Sequence, residues 1–274
     1  MRPTDKTPLR FIAASFALLM MAGLGVAQTA AAGTQTTQPP LKHITVNLND
    51  RAALRDGAMF FMARCMACHS VQGTRFNELA KPLGLTPKQV NEYLNPTHRR
   101  VVQTMISSMP RGVATAYFSK TAPDLTVIAK RRSADWLYTY LTSFYVDPSR
   151  PTGANNVVFN KVAMPDVFAG LQGLQAPVKK AGFVFGKPAQ VAVGVRPLTQ
   201  GSMTPAQFDT MAKDIVTFLY FVAHPHQQAR HAIGGWILLL FAILTVLSYL
   251  LYKGYWRRVI PPGGGRWWTY WKKP

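Results

Sequence analysis

Residues 65–69 read Cys-Met-Ala-Cys-His, and Cys65 and Cys68 are the only two cysteines in the 274-residue chain. A chain that spends both thiols on one pentapeptide must fold around it. The spacing lets two thiols add to the two vinyl groups on one porphyrin edge, while the imidazole that follows reaches the iron from the same turn. The expectation is one covalently bound haem c, held by Cys65, Cys68 and His69. A thioredoxin-like pair needs a βαβ setting, and structural zinc needs two further Cys or His ligands at matching spacing. Neither context is present, and His43, His98, His224, His226 and His231 form no cluster with thiols.

Two apolar segments bracket this motif. Arg2, Lys6 and Arg10 precede an uncharged run from Phe11 to Ala27 and then the small residues Ala30, Ala31, Ala32 and Gly33. That order predicts a signal peptide over 1–32, with an uncleaved anchor as the alternative. Ala232 to Tyr252 contains no charged residue, and at about 1.5 Å per residue it spans a hydrocarbon core of about 30 Å. A single transmembrane helix over 232–252 is expected. Lys253, Arg257, Arg258, Arg266, Lys272 and Lys273 follow it without one acid, so the positive-inside rule puts the C-terminus in the cytoplasm. Residues 253–274 also carry Trp256, Trp267, Trp268, Tyr270 and Trp271. They read either as a tail along the inner membrane surface or as a disordered basic tail.

Between these segments, residues 33–231 suffice for one haem domain. They hold 22 of the 31 Lys and Arg and 10 of the 11 Asp and Glu, a formal charge of +12. An exported domain meets no nucleic acid, so the partners of such a surface are an acidic protein, anionic lipid or an acidic medium. Few carboxylates and many cations suit an acidic periplasm; a stability maximum near neutral pH would count against it.

Asp50 to Arg64 has helical periodicity running into the haem motif. Thr86 caps a helix from Pro87 that closes at Pro96, and Ser133 introduces one that Asp147 and Pro148 stop. Pro148 to Pro165 reads as loop, and Val178 to Pro197 as a short hairpin or irregular excursion. After Thr204 and Pro205, a helix leads toward the membrane. No segment alternates with period two. A sixth iron ligand is needed, and Met109 and Met164, each followed by proline, are loop methionines able to present a thioether. Spacing alone favours Met109 in a minimal cytochrome.

The order of pieces resembles the cytochrome c1 family of bacterial bc1 complexes. The resemblance runs from the helix and CxxCH through Ala122-Pro123-Asp124-Leu125-Thr126 and Lys130-Arg131-Arg132. It continues through Asp135-Trp136, Asp147-Pro148, Asn155-Asn156-Val157-Val158-Phe159, Ala163-Met164-Pro165 and Leu171-Gln172-Gly173 to the C-terminal anchor. It implies a mainly α fold: a cytochrome c-like haem domain with loop insertions plus one C-terminal transmembrane helix. It also implies Met164 as the sixth ligand in place of Met109, Arg132 as a haem-propionate partner, Pro123 lining the pocket and Asn155 holding the loop before Met164. One departure is the stretch Ala223 to Gln228, which lacks the Glu-Pro pair and acids that family members often carry. Another is the charge: many relatives present an acidic face to a basic cytochrome, whereas this domain predicts an acidic or neutral acceptor.

The function this implies is electron transfer in a dimeric quinol:cytochrome c oxidoreductase of the bacterial inner membrane. Electrons pass from a Rieske iron–sulfur protein to a periplasmic cytochrome c-type acceptor, with cytochrome b alongside. A membrane-anchored monohaem cytochrome working outside such a complex shares the same features. A haem peroxidase or gas sensor would need an open iron position.

Overall fold

The computed structural model describes residues 37–225 and 227–259. The expected signal segment 1–32 and the tail beyond 259 lie outside the described residues.

Helix α1 (Arg51–Arg64) starts where Asp50 accepts the N–H groups of Ala52 and Ala53 at 3.0 and 3.1 Å, which satisfies two donors the helix itself cannot. Its buried face is Leu54, Gly57, Ala58, Phe61 and Met62. Helix α2 (Pro87–Tyr93) is closed by a reciprocal box between Thr86 and Gln89, with proline in the first turn. Helix α3 (Arg111–Phe118) buries only Ala114. Helix α4 (Ala134–Leu141) begins with the Ser133 hydroxyl accepting the Trp136 N–H at 3.1 Å. Helix α5 (Pro205–Ala223) repeats the Thr-Pro-x-Gln start at Thr204 and Gln207 and buries Phe208, Met211, Ile215, Phe218, Leu219 and Val222. Helix α6 (Gln227–Val259) contains the one described segment long and apolar enough to cross a membrane, Arg230–Trp256.

The most extensive helix–helix contact is α1 on α5. At Gly57 the two backbones nearly touch, since a Cβ there would lie 2.0 Å from the Asp214 carbonyl oxygen. Phe61 and Phe218 meet alongside, ring centroids 5.4 Å apart. This pair anchors the main core, and Leu79, Leu83, Val90, Leu94 and Met105 join it from 71–105.

Three two-stranded antiparallel ladders complete the fold: β1 (Val71–Arg75) with β2 (Thr104–Met105), β3 (Phe144–Val146) with β4 (Ala154–Asn156), and β5 (Gln175–Val184) with β6 (Lys187–Pro197). Two expectations change here. Helix α4 stops at Thr142, well before Asp147, because residues 144–146 leave to pair with 154–156. The hydroxyls of Thr139 and Thr142 bond carbonyls one turn back at 2.7 and 2.9 Å, a competing use of the helix's own acceptors. The Val178 to Pro197 excursion is a long regular hairpin, its turn made by Phe185 and Gly186 at φ 49° and 76°, the positive pair that suits the strand twist. Its period-two signal is limited to Val191, Val193 and Val195 in β6, and neither face is fully buried.

Candidate functional site

The last turn of α1 continues straight into the CxxCH loop. Cys65 N–H bonds the Phe61 carbonyl at 2.8 Å, and Cys68 and His69 N–H both return to the Cys65 carbonyl, at 3.1 and 2.8 Å. The loop is therefore wound so that both thiols and the imidazole leave one turn. Cys65 is buried and Cys68 half-buried, and both are free thiols. Burial, with Cys68 nearby, pushes the Cys65 thiol up to about 12; burial also raises Cys68.

His69 Nδ1 lies 2.9 Å from the Pro123 carbonyl oxygen. A carbonyl can only accept, so the proton sits on Nδ1 and the Nε2 lone pair is left for a metal. Burial lowers the His69 pKa, against the opposing effects of the Pro123 bond and Asp124. The imidazole is thus held neutral, as ligation requires. Pro123, expected only to line a pocket, holds the His69 ring through its carbonyl oxygen.

The Pro123 segment is itself stitched to the residues after the motif. Leu125 N–H reaches the Ser70 carbonyl at 2.9 Å, Gln72 N–H reaches the Asp124 carboxylate at 2.8 Å, and Gly73 N–H reaches the Thr126 hydroxyl at 3.0 Å. Gly73 is required for that approach: a Cβ would meet Thr126 Cγ2 at 2.3 Å. Loop 107–110 closes the other flank through Ser107 N–H to Ser70 Oγ at 2.9 Å and Met109 N–H to the Ala67 carbonyl at 3.1 Å.

Met164 belongs to a separate small cluster with Phe144, Ala154, Val162 and Tyr140. The Tyr140 hydroxyl donates to Met164 Sδ at 3.3 Å. Tyr140 stacks on Trp136 at 5.0 Å and 11°, and the Arg132 guanidinium lies over the Trp136 ring at 4.7 Å. Arg132 and Met164 are therefore joined through two aromatic rings. Asn155 is 4% exposed. It donates to Asp147 and Asn160 at 2.9 and 3.0 Å and accepts from the Asn156 and Lys161 N–H groups, both at 2.9 Å, so it knits the 156–161 loop that leads to Met164. Neither Trp136 nor Tyr140 is among the site residues expected from the sequence. Their aromatic i, i+4 spacing was the available signal.

The residues of the CxxCH loop fit a c-type haem: two thiols on one turn and an imidazole in the metal-ready tautomer. Among the described residues no group of three His, Cys, Asp or Glu could hold a separate metal ion.

Comparison with known proteins agrees with this chemistry. Residues 42–259 match the Cytochrome C1 family. The chain is 39% identical to cytochrome c1 of Allochromatium vinosum over 219 residues, 80% of this chain and 89% of that protein. It is 35% identical to a protein of Nitrosomonas europaea named ammonia monooxygenase gamma subunit, over 77% of this chain and 85% of that protein. Cytochrome c1 of Rhodobacter capsulatus is 25% identical over 76% and 83% respectively. From a haem loop at the end of α1 to an apolar C-terminal helix, and with a family match over nearly all described residues, this chain belongs to the cytochrome c1 family and carries one covalently bound haem c.

Proposed function

We propose that this protein passes electrons from a Rieske iron–sulfur protein to a cytochrome c-type acceptor at the periplasmic face of a bc1-type complex, beside cytochrome b. The observation that carries this reading is the His69–Pro123 bond, which holds a neutral imidazole on the same turn as both thiols. In it, Cys65 and Cys68 would bind the haem covalently, His69 and Met164 would bind its iron, Arg132 would pair with a propionate, and Asn155 would secure the loop carrying Met164.

The bound haem supplies a one-electron iron couple, and two protein ligands leave no iron position for substrate chemistry. The chain's own residues do the rest. The Pro123 carbonyl fixes the plane of the imidazole, the Tyr140 hydroxyl restrains the Met164 thioether, and the ladder pairing 144–146 with 154–156 supports the loop ahead of Met164. A charge-assisted pair from Arg132 orients the porphyrin edge. Helix α6 tethers the domain to the membrane, and the cations after it favour a cytoplasmic C-terminus. Residues 1–32 act as the export signal and 33–231 as the periplasmic domain.

A second reading is a membrane-anchored cytochrome outside a bc1 complex. It is favoured by the Nitrosomonas relative, whose name places it with another enzyme.

Purification of the complex tests both readings. Co-purification with cytochrome b and a Rieske protein, and quinol-driven reduction of a thioether-linked haem, is the expected result. Purification without cytochrome b favours the second reading. Rapid binding of carbon monoxide to the reduced protein overturns Met164 as ligand.

A further inference from the structure

Helix α3 is tied to the haem loop at both ends and barely touches the rest of the core. Just before it, Met109 N–H bonds the Ala67 carbonyl at 3.1 Å; just after it, Pro123 accepts from His69 at 2.9 Å. Both bonds hold the segment carrying it beside the CxxCH loop, where Ala67 is exposed. Only Ala114 is buried; Val113 and Tyr117, one turn apart, are 43% and 76% exposed. Exposed cations flank them along the chain, Arg111 at the start of α3 and Lys120 after its end.

One exposed acid, Asp124, lies at the edge of that charge beside Pro123. Residues 93–123 contain no Asp or Glu, and the ion pairs found among the described residues, His43–Asp135 and Lys213–Asp209, lie elsewhere. The chain's own remaining segments do not complement it either. Residues 1–36 hold three cations and the single acid Asp5, and residues 260–274 hold Arg266, Lys272 and Lys273 with no acid. The same segment of a second copy presents the same cations, Arg111 and Lys120, and offers no acidic complement to this patch.

The geometry points to Val113 and Tyr117, flanked by Arg111 and Lys120, as the docking surface for an acidic electron-accepting protein, opposite in charge to the basic partner of many relatives. This rests on the electron-transfer reading above and specifies the partner of that site. A small apolar centre with a charged rim is the form of a transient encounter: the rim steers the approach and the centre sets the dwell time. It also brings a partner's redox group to the thioether edge.

The test uses the purified complex with its haem reduced by ascorbate, mixed with two soluble c-type cytochromes, one acidic and one basic, at stepped ionic strength. The acidic cytochrome is expected to react faster, with a rate that falls as salt rises. R111E/K120E is expected to slow it about tenfold or more at low salt and leave haem content unchanged. Y117A is expected to weaken binding at high salt, where the rim is screened. Equal rates for the two cytochromes, a salt-independent rate, or a variant that loses binding to anionic phospholipid vesicles while its reaction rate stands overturns the inference. Quinol-driven reduction, measured separately, reads the function: its loss breaks the electron-transfer reading, whereas normal reduction with no preference for the acidic cytochrome breaks only the docking surface.

Discussion

Helices α1 and α3 flank the same haem loop and are built on opposite terms. Helix α1 turns Leu54, Ala58, Phe61 and Met62 inward and meets α5 so closely that Gly57 has no room for a methyl group, whereas α3 buries Ala114 alone and leaves Val113 and Tyr117 in solvent. The contrast separates two duties. A rigid α1/α5 pair fixes where the thiols and imidazole sit, and a loosely packed α3 lies beside the loop without contributing much to the core. Apolar area buried in the first stabilises the fold; apolar area exposed in the second is free to serve a partner.

The harshest way to break this comparison is to remove the group both helices flank. The double change Cys65→Ala, Cys68→Ala should abolish covalent haem, read as loss of haem staining on a denaturing gel. Next, Gly57→Ala forces a Cβ against the Asp214 carbonyl. Overpacking of this kind costs about 1–3 kcal/mol, against a gain of up to about 1 kcal/mol from helix propensity, so thermal unfolding should show a lower midpoint. Gly112→Ala in α3, where nothing lies within 4 Å, should not lower it.

A subtler probe uses charge at the same crossing. Burial, with Asp56 and Asp50 nearby, raises the Asp214 carboxyl to about 6. A raised folded-state pKa means that the protonated form is favoured on folding. Its stabilisation is present below the unfolded value of about 3.9 and is lost as pH rises through about 6. Unfolding measured from pH 4 to 7 should therefore show stability falling over that window, and Asp214→Asn should flatten the fall. Burial raises Asp166 in the same direction, whereas Asp135, Asp147 and Asp209 are held low by hydrogen bonds and lose stabilisation only as pH falls into the carboxylate range. The smallest effect belongs to Tyr140→Phe. It removes one hydrogen bond to a weak sulfur acceptor, about 1 kcal/mol, and should show as faster carbon monoxide binding to the reduced protein as Met164 loosens.

Much of this was readable from the chain. Capping residues and periodicity marked α1, α2 and α5 because those signals are local: Asp50, Thr86 and Thr204 bond N–H groups two or three residues away. The ends of α4 and the long hairpin were not readable in the same way. Helix α4 ends where a strand pairs with residues about ten positions later, and the hairpin's alternation is confined to the short run Val191, Val193 and Val195. At the site, the thiols and His69 announced themselves by spacing. The stack from Arg132 through Trp136 and Tyr140 to Met164 did not, since it links residues up to 32 positions apart by ring geometry.

By itself the sequence determined the haem attachment, the anchor and the cationic character, because each follows from residues adjacent in the chain or from simple counting. Only the tertiary structure decided which proton His69 carries, what holds Met164, and which apolar residues remain outside the core. Those depend on a carbonyl 54 residues away from the imidazole, a hydroxyl 24 residues away from the thioether, and a helix clamped at both ends to one loop. Contacts across such separations are selected by packing in three dimensions, where no local pattern records them.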